Sequence, residues 1–330
     1  MDSAKKLPQN LIMGLPPKIS EEEFIALFRE KGPAEAAKEI GVDIRCVFKR
    51  RRSIEKNRGI FLESPILVGN VVRQYATTYP TRNTFSIKNG IGIIGSDGHY
   101  WPGIISCGHR ALCYLAKELK VNFAVMNGDA FDGATISKFP ARGWSEKPTV
   151  KQELECVEER LHEIVMACPK AKHYWTLGNH DLRFESSLAN NSPQFSGCEG
   201  FTLRDRFPLW EMSTSLWIND SVVVKHRHKS GTHSTHNSTL WAGKTMITGH
   251  LHSLKVTPFN DYNPGTRYGA DTGTLEDPTG PQFEYGEDNP VNQRSGLIVV
   301  TFVDGMLLWP EIARVIDKNR FEFRGSVYKV

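Results

Sequence analysis

The chain has 330 residues, enough for a large buried core and more than one domain, and its 39% apolar and 24% charged content is that of an ordinary soluble globular protein. The formal charge of +4 is local: residues 1–60 hold 13 Lys/Arg against 9 Asp/Glu, while the remaining 28 basic and 28 acidic residues cancel. Six cysteines without a CxxC pair read as reduced, buried small apolar residues rather than a disulfide framework. No signal-peptide core or membrane-length apolar run is present, so the expectation is a cytoplasmic protein with no membrane partner.

The N-terminal segment reads as three short helices. Ser20 followed by Glu21, Glu22 and Glu23 is a capping box, with Ile19 and Phe24 placed as a hydrophobic staple. That helix should turn Phe24, Leu27 and Phe28 inward and stop at Gly32 and Pro33. Residues 33–40 predict a second helix with Ala36, Ala37 and Ile40 inside, ended by Gly41. Asp43 caps a third, with Ile44, Val47, Phe48 and Ile54 inward and Arg45, Lys49, Arg50, Arg51, Arg52 and Lys56 on a basic outer surface. The pattern resembles a helix-turn-helix module with the third helix in the recognition position. Its arginines would neutralise phosphates, giving salt-sensitive affinity with little sequence information. The competing reading is a packing domain with a solvated charged face. The expected organisation is a basic helical domain at 1–60, a linker at 61–85 with an apolar piece at 65–72, and a catalytic domain at 86–330.

From residue 86 strands and helices alternate: strand 91–95, helix 104–119, strand 123–126, helix 149–167 and strand 173–177. Alternation predicts a layered α/β body whose site lies at the carboxyl ends of the strands. After residue 216 short strands at 216–218, 222–224, 246–248, 297–303, 307–309 and 321–323 predict a second sheet packed on the first, and the turn-rich 265–292 reads as a long surface loop.

Polar clusters follow these strands. IGIIGSDGH (91–99) ends in Asp97 and His99, whose alternate spacing lets both side chains reach one ion. GDAFDG (128–133) adds Asp129, whose two oxygens suit it to bridge two cations, and Asp132, read as an acceptor for loop amides. GNHD (178–181) offers the Asn179 carbonyl as a weak ligand and His180 as a proton carrier. KHRH (225–228) and GHLH (249–252) complete the series, His250 and His252 repeating the spacing of Asp97 and His99. Singly, each is an ordinary structural histidine or loop carboxylate. Five in one order argue for a single metal-binding site.

D-x-H, GDxxDG, GNHD, a lone histidine and GHxH, in this order, resemble the calcineurin-like metallophosphoesterase superfamily over residues 90–252. ISKFP after GDAFDG, and AGKTMITGHLH followed by RYGADTGTL, are similar to a bacteriophage and prophage branch with an N-terminal helix-turn-helix. The resemblance implies an α/β fold of two packed mixed β-sheets flanked by helices, an αββα sandwich. It implies one metal held by Asp97, His99, Asp129 and His252, and another by Asp129, Asn179, His226 and His250. His180 would donate a proton to the leaving oxygen, and Asp181 would orient it. Where the family offers His-Gly this chain has His226, Arg227 and His228; His226, nearest the apolar run 222–224, is the preferred ligand and His228 the reserve. Arg183 is a candidate for steadying a substrate phosphate or for a surface ion pair.

Two divalent ions are the expected cofactors, Mn first, with Fe, Zn, Ni, Co or Mg as alternatives that ligand type does not separate. They would acidify a water and screen the phosphoryl oxygens, so that a metal-bridging hydroxide attacks phosphorus while His180 protonates the leaving group. Nucleic acid bound through the N-terminal domain is the expected partner and a phosphodiesterase or nuclease the expected activity. Trp101, Phe139, Arg142 and Trp144 are candidates for a base-stacking wall. A phosphomonoesterase would use the same centre. A DNA-binding regulator with a vestigial hydrolase body would be expected to have lost part of the ligand set.

Overall fold

The computed structural model describes residues 19–60, 62, 79–138, 144, 146–277, 280–281 and 292–330. Contacts divide the chain into two units, residues 1–78 and 79–330. In the first, α1 (Glu21–Ile40) opens with the expected capping box: Ser20 Oγ accepts from Glu23 N at 3.2 Å and the Glu23 carboxylate accepts from Ser20 N at 2.7 Å. Gly32, at φ 77° and ψ 176°, breaks the helix ahead of Pro33, so the two short helices read from sequence are the arms of one bent element. Gly41 ends it in the left-handed conformation, and Asp43 caps α2 (Ile44–Arg58). Phe24, Phe28, Ala37, Ile40, Val47, Ile54 and Leu62 form the core of this unit.

Two expectations for α2 are corrected. Ile44 and Phe48 are exposed rather than inward, because Val47 and Ile54, seven residues apart on one face, are the pair that meets α1. Arg50 and Arg51 are engaged within the unit. Arg50 Nη2 donates to Ile19 O at 2.7 Å and to Ser20 O at 3.1 Å beside the Phe24 ring, while Arg51 lies against Phe28 and pairs with Glu55 at 2.8 Å. Arg45, Lys49 and Arg52 stay exposed, and Lys56 extends their stripe at helical spacing.

The second unit begins with β1 (Asn83–Phe85), β2 (Gly90–Gly95), α3 (Cys107–Glu118), β3 (Phe123–Met126), α4 (Val150–Ala167) and β4 (Lys172–Thr176). It continues through α5 (Arg183–Asn191), α6 (Leu203–Arg206), β5 (Glu211–Ser213), β6 (Leu216–Ile218), β7 (Val222–Val224), α7 (Ser234–Ala242) and β8 (Thr245–Thr248). The last strands are β9 (Lys255–Phe259), β10 (Arg267–Asp271), β11 (Gly296–Val303), β12 (Met306–Leu307), β13 (Glu311–Asp317), β14 (Arg320–Phe323) and β15 (Ser326–Lys329). One sheet runs β1-β6-β7-β8-β10-β9; the other runs β15-β14-β13-β11-β2-β3-β4-β5, with β12 on β11.

Strand alternation makes two cores. Ile93, Ala124 and Met126 face the helices, where Leu112, Leu115, Val157 and Leu161 meet them. Their neighbours Ile94, Phe123 and Val125 face the other sheet and pack with Ile218, Val224 and Ile247. Helix α7 covers the outer face of the six-stranded sheet, its Thr235 carbonyl lying where a Cβ at Gly269 would be 2.1 Å away. The result is two mixed sheets packed together with helices outside, the expected sandwich. Among the described residues no helix is long and apolar enough to cross a membrane.

The late strands are distributed differently from the sequence reading. Residues 297–303 and 321–323 do not join the second sheet: β11 lies antiparallel to β2 at the centre of the first, and β14 lies farther out. An all-apolar strand feeds both cores from its two faces, Leu297 and Val299 to one and Ile298 and Val300 to the other, and such a pattern does not name its neighbour. Asn83–Phe85, at the end of the expected linker, is an edge strand parallel to β6. The expected loop at 265–292 begins instead as buried strand β10, with 278–279 and 282–291 outside the described residues. The apolar piece at 65–72 also lies outside them. The cysteines are free thiols, and Cys46 and Cys198 are exposed rather than buried.

Candidate metal centre

β2, β3 and β4 run parallel, as do β7, β8 and β10, and the polar clusters follow their carboxyl ends. Beyond the strands, Asp97 N donates to Gly128 O and His99 N to Asp129 O, both at 2.9 Å, so the β2–β3 ladder continues into the turns. Asp97 (φ 53°), His99 (35°), Asp129 (53°), His250 (70°) and His252 (54°) all sit in the left-handed backbone region. Each such residue costs roughly 1 kcal/mol or more, and the surrounding bonds hold all five there. Glycines let the turns approach: a Cβ at Gly178 would lie 2.1 Å from Asp129 Oδ1, and one at Gly249 would lie 2.6 Å from Asp97 Oδ2.

Among the described residues the donors gather in three groups, one of them His99, Asp132 and His180. Asp97, His99 and His252 each bring one atom within 4.8 Å of the others, and so do Asp129, His226 and His250. Each central carboxylate divides its oxygens. Asp97 Oδ2 accepts from Ser96 Oγ and, at 2.9 Å, from His250 N, while Oδ1 faces Nε2 of His252 at 3.0 Å, of His226 at 3.9 Å and of His99 at 4.0 Å. Asp129 Oδ1 accepts from His180 N at 2.8 Å, and Oδ2 faces His226 Nε2 at 3.0 Å.

These contacts make sense only around positive charge. A carbonyl can only accept, so His226 Nδ1 donates to Asn127 O at 2.7 Å; His99 Nδ1 likewise donates to Asp132 Oδ1 at 2.8 Å. An unprotonated Nε2 on either ring would aim its lone pair at carboxylate oxygens, and the two repel unless a cation or proton lies between them. Among the described residues, Asp97 Oδ1, His226 Nε2 and Asn179 Oδ1 are buried without a hydrogen-bond partner, a cost of about 1–3 kcal/mol each in a purely structural cluster. Carboxylate, imidazole and amide oxygen together are a donor set that fits divalent transition metals.

The electrostatics agree. Burial opposes the charge on Asp97, but His252 and His226 hold it down at about 2. Burial likewise opposes protonation of His226, yet Asp129 and Asp97 push it up to about 10. Asp129 is lowered in spite of burial by His226 and His180, whereas burial and the charge of His226 lower His250.

Two acidic residues exchange the roles read from sequence. Asp132 does not serve loop amides; its Oδ1 accepts from both His99 Nδ1 and His180 Nδ1, at 2.8 and 2.9 Å. Asp181 makes no bond to His180. It is fully buried and accepts from the amides of Asp129, Ala130, Phe131 and Gly178 and from Trp175 Nε1, at 2.8–3.1 Å. Asp181 therefore shapes the turn that carries Asp129, and Asp132 orients the His180 ring. Arg183 forms no ion pair among the described residues: Nη1 donates to Asp132 O at 2.8 Å and Nη2 to His180 Nε2 at 3.0 Å. His226 reaches the centre while His228 is exposed. Of the stacking candidates, Trp101 is half-buried and Trp144 exposed, and Phe139 and Arg142 lie outside the described residues.

Sequence reasoning gave no roles to the ADTGTL segment. Asp271 Oδ1 accepts from Ser253 N and Gly273 N, Thr272 Oγ1 lies 2.6 Å from Ser96 Oγ, and Thr274 Oγ1 donates to Asp97 O at 2.7 Å. An unbroken run of small polar residues after a buried strand was the available signal.

Residues 104–254 match a family described as calcineurin-like phosphoesterase. The match contains Asp129, Asn179, His180, His226, His250 and His252; the geometry adds Asp97 and His99 upstream. No curated protein matches the chain. Among solved structures, a protein serine/threonine phosphatase from Saccharomyces cerevisiae with similarity to human phosphatase PP5 is similar at 11% identity and a TM-score of 0.34, covering 86% of this chain and 96% of that one. Residues 104–254 are a calcineurin-like phosphoesterase domain, and the chain is a metal-dependent phosphoester hydrolase.

Proposed function

We propose that the enzyme is a phosphodiesterase or nuclease acting on nucleic acid, with two divalent ions, Mn foremost, at the centre. Asp97, His99, Asp129 and His252 would hold one ion and Asp129, Asn179, His226 and His250 the other. Such ions supply an acidified water and screening of the phosphoryl charge. The chain's own part is to position and to move a proton. Asp132 holds His180 Nδ1, so Nε2 is the atom that serves the leaving oxygen, and Arg183, already bonded to that atom, can transfer its guanidinium to a phosphoryl oxygen when substrate enters.

The observation that carries the nucleic-acid reading is the exposed stripe Arg45, Lys49, Arg52 and Lys56 on α2, which follows the turn at Gly41 in a helix-turn-helix order. This fusion of a basic helical unit with a hydrolase also suits the bacteriophage and prophage branch that the motif phrases resemble, and a cytoplasmic site of action. The test compares the full chain with residues 79–330 on a bis-aryl phosphodiester, an aryl phosphomonoester and labelled DNA, with and without Mn. Cleavage of the diester by both chains, and of DNA far better by the full chain, is expected. Preference for the monoester with no DNA cleavage would overturn the reading in favour of a phosphatase.

A further inference from the structure

A surface beside the metal centre can be assigned on the basis of that nucleic-acid reading. Between Asp220 and Asp261 lie 40 consecutive residues without an Asp or Glu, in a chain that has 37 of them, and the stretch carries Lys225, Arg227, Lys229, Lys244 and Lys255. The loop 225–233 leaves the centre at His226 and returns to the sheet through α7. It is fastened at three points: Lys229 N donates to Ser238 Oγ at 3.3 Å, Ser234 N to Gly231 O at 3.1 Å, and Lys255 Nζ to Thr232 O at 2.8 Å. Arg227 and His228 are exposed on it.

An aromatic platform stands at the end of this loop. Trp241 on α7 is 73% exposed, and Lys229 Nζ lies 4.2 Å from its ring centroid. Lys229 follows His226 by three residues, so their backbones are at most about 11 Å apart. A strand whose phosphate sits in the metal centre would reach this ring within a few nucleotides. The same sheet carries another such pairing, Trp217 with Arg82 at 4.2 Å and Lys244 at 5.2 Å.

A basic stretch with no acid of its own suits a polyanion, and an indole held in solvent suits an unpaired base. An acidic peptide would use the charges and not the ring, whereas a duplex keeps its bases stacked inside. We propose that loop 225–233 and Trp241 form a track for single-stranded nucleic acid leading into the metal centre, with Trp241 stacking a base and Arg227 and Lys229 contacting phosphates.

The test uses the Mn-loaded full chain and the variants Trp241→Ala, Trp241→Phe and Lys229→Gln. kcat/KM is measured on a single-stranded oligothymidylate and on a bis-aryl phosphodiester. Trp241→Ala should lower kcat/KM on the oligonucleotide about tenfold or more, with most of it restored in Trp241→Phe. Lys229→Gln should reduce the salt slope by about 0.7. All three should match the wild type on the small diester. If the wild type cleaves the oligonucleotide and Trp241→Ala does so equally well, this inference fails and the nucleic-acid reading stands. If the wild type turns over the diester but neither binds nor cleaves nucleic acid, both fail. An effect of Lys229→Gln without one of Trp241→Ala would assign the surface to charge alone and also overturn the proposal.

Discussion

His180 and Asp132 are joined twice: the imidazole Nδ1 donates to Asp132 Oδ1 at 2.9 Å and lies 3.0 Å from the same residue's carbonyl oxygen. The bond to Asp132 and the charge of Asp129 raise the pKa of His180 against the effect of burial. A ring held in this way presents Nε2 for proton transfer. His180→Asn should reduce kcat on an alkyl phosphodiester by about 10²–10⁴, the usual worth of a general acid, and Asp132→Asn by a smaller factor. The loss should shrink when the leaving group is a nitrophenolate, which departs without help. Equal losses on both leaving groups in a steady-state assay would assign the pair to metal or substrate positioning instead.

Asp181 receives five N–H donors at 2.8–3.1 Å, so its replacement should act on stability before chemistry. Asp181→Asn turns an NH₂ group toward buried donors and should lower the unfolding free energy by about 3 kcal/mol, seen as a lower urea midpoint. Asp132→Asn, whose partners are rings with other contacts, should change the midpoint far less. The reverse order would restore the roles read from sequence.

The carboxylates of Asp97 and Asp129 are buried side by side among histidine rings, so cations bound there stabilise the folded chain. Chelation should therefore lower the melting temperature as well as abolish turnover. Free Mn at about 100 times its dissociation constant should add about 2.7 kcal/mol, or several degrees, in differential scanning fluorimetry. Asp129→Asn should remain folded, show little of this shift and lack activity. A shift of wild-type size in Asp129→Asn would remove Asp129 from the ligand set.

Glu153 is fully buried, its Oε1 accepting from Ala134 N at 3.0 Å and its Oε2 meeting no hydrogen-bond criterion among the described residues. Burial, and then the nearby Asp132 charge, raise its carboxyl to about 7 from an ordinary value of 4.5. Because the folded pKa lies above the unfolded one, its contribution is fully present below about pH 4.5 and is lost as pH rises through 7. Glu153→Gln should thus stabilise the protein by about 1–3 kcal/mol at pH 8 and by little at pH 4. Thermal melts at the two pH values check the sign, and a gain confined to low pH would refute it.

Sequence alone singled out candidates for a metal centre, because here each polar cluster follows a strand and its spacing is written in the chain: Asp97 with His99, His250 with His252. It also determined the helix boundaries that rest on local caps, Ser20 with Glu23 and Asp43 with Arg45. Tertiary structure decided which acid does what. Whether Asp132 or Asp181 meets His180 depends on how the turn after β3 folds over the one after β4, and both carboxylates look alike in one dimension. It also decided that β11 lies beside β2, since a strand apolar on both faces fits any central position. On α2 it turned Arg50 and Arg51 toward α1 and left Arg45, Lys49 and Arg52 in water, because a helix presents several faces and only its packing partner selects the buried one.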